Sequence, residues 1–405
     1  MSRHYSTNDF LRHVPVRLLT RYFKERGLLP DFDFAGLKDA KTDALLAALL
    51  ELPVAQRQPI DAEFSSIFEM SCEKGFKAIL TEVPYQFRDT PEDAPKFIDK
   101  LSGLSSHYER AMATFLDHPA FWRAATLYRH ADSLTSFWRK RKNLPHKLAA
   151  VDPVSLKKLE EVIGGYFHYK EGRGKNCAVE PYRRGELDYF FAFPEDYSQQ
   201  QPEWVSGIFT PRPHTPAFEV IFIYSQKDGT LDINYQGSPK TIEPLQGMFA
   251  TSILGLEELP PDPKDERVYE LGALMQKSFE FKPEIDSGIE GIAIKKMRLS
   301  SKIKRGDRLT LEADISENPK AIYTLLDKLG KAVPLQMYNV TLVEMTATVA
   351  VEGDKPPRKV PIRITHPNSC SLKYDEIDHR LRDMLASSGI ELKDPEPEAE
   401  PPSET

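Results

Sequence analysis

Apolar residues recur at helical spacing through the first part of the chain. A helix over 16–26 is predicted to begin beside Pro15 and to stop at Gly27. Its cations, at spacings of four and three, form a basic stripe of Arg17, Arg21 and Lys24. Further helices are predicted over 42–52, 61–80, 95–102, 105–115, 119–142 and 153–163, with a proline-containing loop over 83–95. The pattern indicates an α-helical domain over residues 1–165, ended by Gly164 and Gly165.

From residue 166 onward the apolar pattern shortens to the period of β-strands. A strand over 187–193 is followed by three units, each a hairpin and then a helix. The units are 218–224 with 230–235 and helix 239–254, 291–299 with 308–314 and helix 319–329, and 340–351 with 359–365 and helix 374–387. The three units share the order of their elements, but their residues do not match, so they are not a sequence repeat. We therefore expect an α+β fold: a helical N-terminal region, then a mixed, mainly antiparallel β-sheet domain over 166–390 with helices on one face.

Composition limits the class of protein. The 405 residues suit two or three domains, and residues 391–405 alternate proline with acid, which predicts a disordered acidic tail. Apolar runs fall far short of the roughly 20 residues that cross a bilayer, so we expect no membrane partner. The first residues are polar and lack the apolar core of a secretion signal. Three scattered cysteines, Cys72, Cys177 and Cys370, fit a reducing, cytoplasmic setting in a bacterial-type protein.

One segment is strongly basic although the whole chain carries a net charge of −7. Residues 139–184 contain twelve Lys or Arg against five Asp or Glu, with aromatic residues threaded between them. Cations neutralise phosphates and aromatic rings stack on bases, so this composition favours nucleic acid. The expected contacts are Trp138, Arg139, Lys140, Arg141, Lys142, Tyr169, Arg173, Lys175, Arg183 and Arg184, together with the basic stripe of Arg17, Arg21 and Lys24.

The glycines around Arg173 predict a loop whose backbone N–H groups approach a phosphate. The opposing interpretation is that these cations are solvated, or are partners for acids elsewhere in the chain. The leading hypothesis is a non-catalytic nucleic-acid-binding or adaptor protein in a larger bacterial assembly, with DNA or RNA and other proteins as partners. The alternative is a purely protein–protein module whose basic surface meets an acidic partner.

Two patterns keep a nuclease open as a further alternative. Arg123 and His130 lie two helical turns apart, where an arginine could stabilise a phosphorane and a histidine could move protons. This spacing is similar to that of the metal-independent RNases of the HEPN kind, although Ala124 stands where they carry a polar residue. Glu186 and Asp188, at strand spacing, could instead hold Mg²⁺. The chain has no Walker loop, hydrolase elbow or His-x-x-x-His pair, and we expect no cofactor.

Overall fold

The computed structural model describes residues 4–134, 136–205, 207–261, 268–304, 306–351 and 356–392. Their contacts divide the chain into a helical unit, Met1–Leu134 with Arg183–Gly185, and an α/β unit, Thr135–Tyr182 with Glu186–Thr405. The expected α+β class is confirmed, with helices concentrated in the N-terminal part and mainly antiparallel sheets after it. The division falls after Leu134, whereas the sequence pattern points to Gly164 and Gly165.

The helical unit is built on an aromatic core. Its described α-helices are α1 (Thr7–His13), α2 (Val16–Glu25), α3 (Asp43–Leu50), α4 (Val54–Met70), α5 (Glu73–Gln86), α6 (Asp93–Ser102), α7 (His107–Asp117) and α8 (Pro119–Ser133). Phe10 and Tyr22 both pack on Phe64, with ring centroids 4.7 and 4.9 Å apart. The helix predicted over 61–80 is two helices, because Ser71 Oγ donates to the carbonyl of Ile67 at the end of α4 and Cys72 Sγ accepts from the N–H of Gly75 as the N-cap of α5. None of the described helices combines the length and the apolar character that a bilayer span requires.

The α/β unit contains two five-stranded sheets and a separate hairpin in its described residues. Its strands are β1 (Trp138–Arg141), β2 (Cys177–Arg184), β3 (Leu187–Pro194), β4 (Gln199–Val205), β5 (Ile208–His214), β6 (Val220–Ser225), β7 (Thr230–Tyr235), β8 (Ile289–Ser301), β9 (Arg308–Glu312), β10 (Tyr338–Val349), β11 (Arg358–Thr365) and β12 (Ser369–Cys370). The first sheet has the order β1-β7-β6-β3-β2 and the second β12-β11-β10-β8-β9. Strands β4 and β5 pair only with each other among the described strands.

Helices cover one face of each sheet. They are α9 (Pro153–Glu171), α10 (Ile242–Ser252), α11 (Ala321–Gly330) and α12 (Glu376–Ser387). On the first sheet, Phe167 of α9 and Phe249 of α10 pack with Phe222 of β6 in one core. On the second sheet, α11 and α12 bury residues such as Leu326 and Leu381 against β8, β10 and β11. The three predicted hairpin–helix units exist, but the first belongs to one sheet and the other two to the second.

Two further helix ends are wrongly predicted. The helix predicted over 119–142 stops at Ser133, and Trp138–Arg141 is the strand β1, paired antiparallel with β7. The basic run has no β-strand pattern of its own, so its pairing with a strand almost a hundred residues away decides its conformation. The last helix of the N-terminal region does not end at Gly164 and Gly165 but continues through them to Glu171.

The end of the described chain belongs to the folded body. Leu392 donates its backbone N–H to the carbonyl of Val268 at 2.8 Å, and Glu391 forms an antiparallel bridge with Tyr269. Both Glu391 and Leu392 fall in the segment 391–405 that composition assigns to a disordered tail. The remainder of that predicted tail, 393–405, lies outside the described residues.

Candidate nucleic-acid interface

Lys140 of β1 is buried among carboxylates. Its Nζ lies 2.9 Å from Glu391 Oε1 and 3.7 Å from Asp232 Oδ2. Burial opposes the charged form of Lys140, but the carboxylates of Glu391 and Asp232 outweigh that effect and raise its pKa. Arg382 approaches the same group, with Nη1 3.7 Å from Glu391 Oε2. The charge of Lys140 is therefore compensated inside the α/β unit.

The other residues of β1 are also occupied by internal contacts. Arg141 is buried and donates from Nη1 to Gln246 Oε1 at 3.0 Å and from Nη2 to the carbonyl of Pro260 at 2.5 Å. Trp138 is buried, and Arg139 and Lys142 are half-buried. Arg139 donates to the carbonyl of Trp138 at 2.8 Å. Strand β1 thus presents much less free cationic surface than its sequence suggests.

The glycine loop after α9 is closed by hydrogen bonds to the protein. The N–H of Gly174 donates to the carbonyl of Glu195 at 2.7 Å, and Arg173 pairs with Glu171 at 2.7 Å and Asp196 at 2.8 Å. The guanidinium of Arg173 also lies 3.9 Å from the centre of the Phe218 ring. These contacts hold the loop against the first sheet. Lys175 is exposed, and so is Tyr169, at 90 % of its surface.

Within the helical unit, the predicted cations meet acidic partners. Arg17 bonds Glu109, and Arg21 bonds both Asp117 and, at 2.6 Å, Glu25. Lys24 is exposed. Arg184 is buried and gives two hydrogen bonds to Asp132, at 2.8 and 3.0 Å, whereas Arg183 is half-buried and contacts the carbonyl of Gly185 at 3.3 Å. Arg17, Arg21 and Arg184 therefore stabilise the unit as ion pairs.

The two nuclease patterns are differently placed. Arg123 and His130 are both exposed on α8, seven residues apart, so they lie near one face of that helix. Asp188 is buried in β3, whereas Glu186 is exposed and lies 3.6 Å from Lys227. Within the described residues, no three His, Cys, Asp or Glu side chains cluster closely enough to hold a metal ion.

Two of the three cysteines, Cys177 and Cys370, are poor nucleophiles in this fold. Burial raises the pKa of Cys177 to about 12 and also raises the pKa of Cys370. A thiol with a raised pKa stays protonated at neutral pH and does not attack substrates as a thiolate.

A second charged surface lies on the face of the second sheet that α11 and α12 leave uncovered. We call this surface the open face, and it comprises Lys296, Arg298 and Ser300 of β8, Arg308, Thr310 and Glu312 of β9, Thr341 and Glu344 of β10, and Arg363 of β11. One row across the strands alternates in sign, as Glu312, Lys296, Glu344 and Arg363. Lys296 pairs with Glu312 at 3.0 Å, and Arg363 with Glu344 at 3.8 Å. That row is electrically balanced.

The next two rows carry an excess of positive charge: Arg298 lies opposite Thr310 and Leu342, and Arg308 lies one row further, opposite Ser300. Arg298 and Arg308 have no carboxylate within ion-pair distance in the part of the chain that the structure describes. Burial and the like charges of Arg308 and Arg363 lower the pKa of Arg298. Thr341 Oγ1 accepts from Arg298 Nε at 3.3 Å and lies 2.9 Å from Ser300 Oγ. Guanidinium and hydroxyl groups thus converge on one side of the sheet, an arrangement suited to an anion.

A groove continues the open face along the strands. It has a volume of about 810 Å³, and its floor carries the small side chains of Ala293, Thr346 and Thr348. Lys295 and Lys359 contribute cations to its lining, and Glu312 and Asp314 contribute carboxylates. Gly291 has open space where a side chain would stand, which leaves the strand backbone accessible there. An extended chain could therefore pass along the sheet beside Arg298.

Sequence reasoning missed the open face because its cations are spread over three strands. A local signal exists: Lys296, Arg298 and Ser300 alternate with Met297 and Leu299, the pattern of a strand with one polar face. That pattern identifies which residues of one strand share a face, but only the strand register places Arg308 and Arg363 on the same face as Arg298.

Comparison of the chain with protein-family models, with curated proteins and with solved structures finds no match in any of the three. The function proposed next therefore depends on side-chain geometry and charge alone.

Proposed function

We propose that this protein is a non-catalytic nucleic-acid-binding protein that contacts the phosphate backbone through the open face. The observation that carries the proposal is the pair Arg298 and Arg308, which lie diagonally across the adjacent strands β8 and β9 on the open face and have no carboxylate partner among the described residues. A partly buried arginine near a second like charge favours a bound anion, and arginine forms paired hydrogen bonds with phosphate oxygens. We further propose that it acts as an adaptor in a cytoplasmic bacterial assembly.

The chemistry of the open face favours backbone contacts over base reading. Arginine and hydroxyl side chains bind phosphate and sugar, which position a nucleic acid without specifying its sequence. Tyr169 and Lys175, exposed at the end of α9 and just beyond it, remain proposed contacts, the tyrosine through stacking on unpaired bases. DNA and RNA share the phosphate chemistry, so both are expected to bind.

The test is a salt titration of Arg298→Gln/Arg308→Gln on labelled single- and double-stranded DNA and RNA. Wild-type affinity should fall steeply with salt because bound cations release counterions. Each lost phosphate contact should flatten the log–log slope by ~0.9 on a duplex or ~0.7 on a single strand. Tyr169→Ala should reduce affinity for single strands and leave the slope unchanged, since stacking releases no ions.

Lys328→Gln/Lys331→Gln is the matched control, because it removes two exposed cations at and just after α11, the helix that covers the other face of the same sheet. Its slope should equal that of the wild type. Equal weakening by both double substitutions would show that binding depends on the total charge of the protein and not on the open face. Absence of wild-type binding at low salt would reject the proposal, and capture of an acidic peptide alone would favour the protein–protein alternative.

A metal-independent RNase remains a second candidate because Arg123 and His130 are both exposed near one face of α8. If the protein cleaves RNA in the presence of a chelator, Arg123→Ala and His130→Ala should each abolish cleavage and leave thermal unfolding unchanged. Cleavage that survives both substitutions would show that Arg123 and His130 are not the catalytic residues. Since the leading proposal is a non-catalytic protein, we expect no cleavage by the protein alone.

A further inference from the structure

The hairpin β4–β5 is amphipathic although both of its sides are exposed. Register puts Pro202 opposite Pro211 and Trp204 opposite Phe209, so one side is apolar. The two rings of Trp204 and Phe209 meet edge to face at 5.6 Å. The other side carries Gln201, Glu203, Thr210, Arg212 and His214, with Val205 and Ile208 near the turn. A two-stranded hairpin is barely stable in water by itself, so an uncovered apolar side indicates a missing partner.

The sequence of the hairpin restricts how that partner can dock. Pro202, Pro211 and Pro213 lack backbone N–H groups, and prolines prevent a strand edge from pairing with a further strand. Docking must then use the apolar side and not the strand edges. That side carries no charged group, and on the other side Glu203 and Arg212 lie 3.7 Å apart and balance each other.

We propose that the apolar side of this hairpin binds the same hairpin of a second copy of the chain, forming a symmetric dimer. In a symmetric dimer the same surface of both copies is in contact, so charged groups on that surface would repel each other. The apolar side carries no charged group, and this repulsion is therefore absent although the chain has a net charge of −7. A nucleic-acid strand would require cations that this side lacks. The proposal is independent of the function assigned to the open face.

The available area limits the strength of this dimer. On the apolar side, Trp204 and Phe209 are 72 and 58 % exposed. Together with the three prolines of that side they can bury on the order of 400 Å² per copy. The total of about 800 Å² is below the size of stable interfaces and in the range of weak, transient ones. We therefore expect a reversible dimer with a dissociation constant in the micromolar range.

Trp204 is a built-in reporter of this contact. The chain has three tryptophans, and Trp122 and Trp138 are 8 and 7 % exposed, so a solvent-exposed emission component must come from Trp204. Raising the concentration of the full-length protein from about 1 to 100 μM spans the expected transition. Over that range the emission should shift to shorter wavelength and quenching by iodide should fall, while sedimentation reports a monomer becoming a dimer.

Phe209→Ser retains the reporter and should weaken dimerisation by about tenfold or more, as should Trp204→Ser in sedimentation. Leu148→Ser and Val154→Ser are the controls, because both residues are large, apolar and exposed elsewhere in the same unit. The controls should dimerise like the wild type. A monomer at every concentration, or a dimer insensitive to both hairpin substitutions, would overturn the proposal. So would a monomer whose Trp204 emission shifts only with phosphatidylcholine vesicles.

Discussion

Glu82 of α5 is a buried carboxyl group whose neighbours only partly stabilise its charge. Burial raises the pKa of Glu82 to about 7, although hydrogen bonds from Gln86 and Tyr128 and the charge of Arg184 act in the opposite direction. In the unfolded chain a glutamate ionises near pH 4.3. The folded form therefore holds a proton that the unfolded form has lost across this interval. Stability from Glu82 should be complete below about pH 4.3 and should be lost as pH rises through 7.

Glu82→Gln should remove this pH dependence because the amide resembles the protonated acid. The variant should match the wild type near pH 4 and exceed it in free energy of unfolding by up to about 3 kcal/mol at pH 7. Denaturant unfolding at several pH values measures the difference. Glu73→Gln, an exposed carboxylate on the same helix, should leave the profile unchanged. A Glu82→Gln profile parallel to that of the wild type would contradict the prediction.

Single residues also show why the binding site could be predicted only in part. The sequence reveals that Lys140 and Arg184 are cations, but their partners Glu391 and Asp132 are 251 and 52 positions away. Composition cannot distinguish a cation held by such a partner from one facing solvent. The sequence predicts loop-like surroundings for Tyr169, which are compatible with exposure but do not require it. The 90 % exposure of Tyr169 follows from the fold.

At the scale of elements, α9 contains two adjacent glycines with opposite roles. A side-chain carbon added to Gly164 would lie 2.8 Å from the carbonyl oxygen of Gly174, so the helix and the following loop could not stay in contact. The same carbon added to Gly165 would meet no heavy atom within 4 Å. Glycine is also unfavourable inside a helix. Gly164 is thus required by packing, whereas Gly165 weakens the helix without an evident packing reason.

Gly164→Ala should destabilise the protein by about 1–3 kcal/mol, as overpacking does. Gly165→Ala should stabilise it by about 0.5–1 kcal/mol through helix propensity. The two substitutions add the same methyl group one position apart, so each controls for the other. Free energies of unfolding measured side by side should have opposite signs relative to the wild type. Two destabilising changes of similar size would mean that the helix does not continue through this point.

The same glycine pair explains an error of prediction at this scale. Glycines often stand at the end of a helix, so the sequence pattern predicts that the helix ends at Gly164 and Gly165. In the structure α9 continues through both glycines, and Gly164 contacts the loop that follows the helix. Hairpins were more predictable: β6–β7 and β10–β11 lie close to their expected positions because their pairing is local. Strand β1 could not be predicted in this way, since its register depends on β7.

At the scale of the whole molecule, the α+β class followed from hydrophobic periodicity, but the division into two sheets did not. The two sheets of the α/β unit meet where Lys140 donates its backbone N–H to the carbonyl of Asn368 at 3.0 Å. The side chain of Lys140 contacts both Asp232 of the first sheet and Glu391. Glu391 in turn forms an antiparallel bridge with Tyr269. This charged group therefore connects the first sheet to the core of the second.

Lys140→Met should destabilise both sheets together. The substitution leaves Asp232 and Glu391 buried without the cation between them, and breaking a buried ion pair costs about 3–5 kcal/mol. Lys140→Met/Asp232→Asn should recover part of the loss, because it removes one of the two buried carboxylates that Lys140 neutralises. Lys296→Met breaks a far more exposed pair with Glu312 and should cost less than about 1 kcal/mol.

Hydrogen exchange distinguishes this cooperative effect from a local one. In Lys140→Met, peptides from β7 and from β11 should lose protection by similar amounts, since the charged group is shared by the two sheets. Loss confined to β7 would mean that the sheets unfold independently and that the buried charges stabilise only the first. If Lys140 instead served mainly to hold phosphate, its substitution would leave protection intact and flatten the salt dependence of nucleic-acid binding. The burial of Lys140 Nζ against Glu391 and Asp232 favours the first outcome.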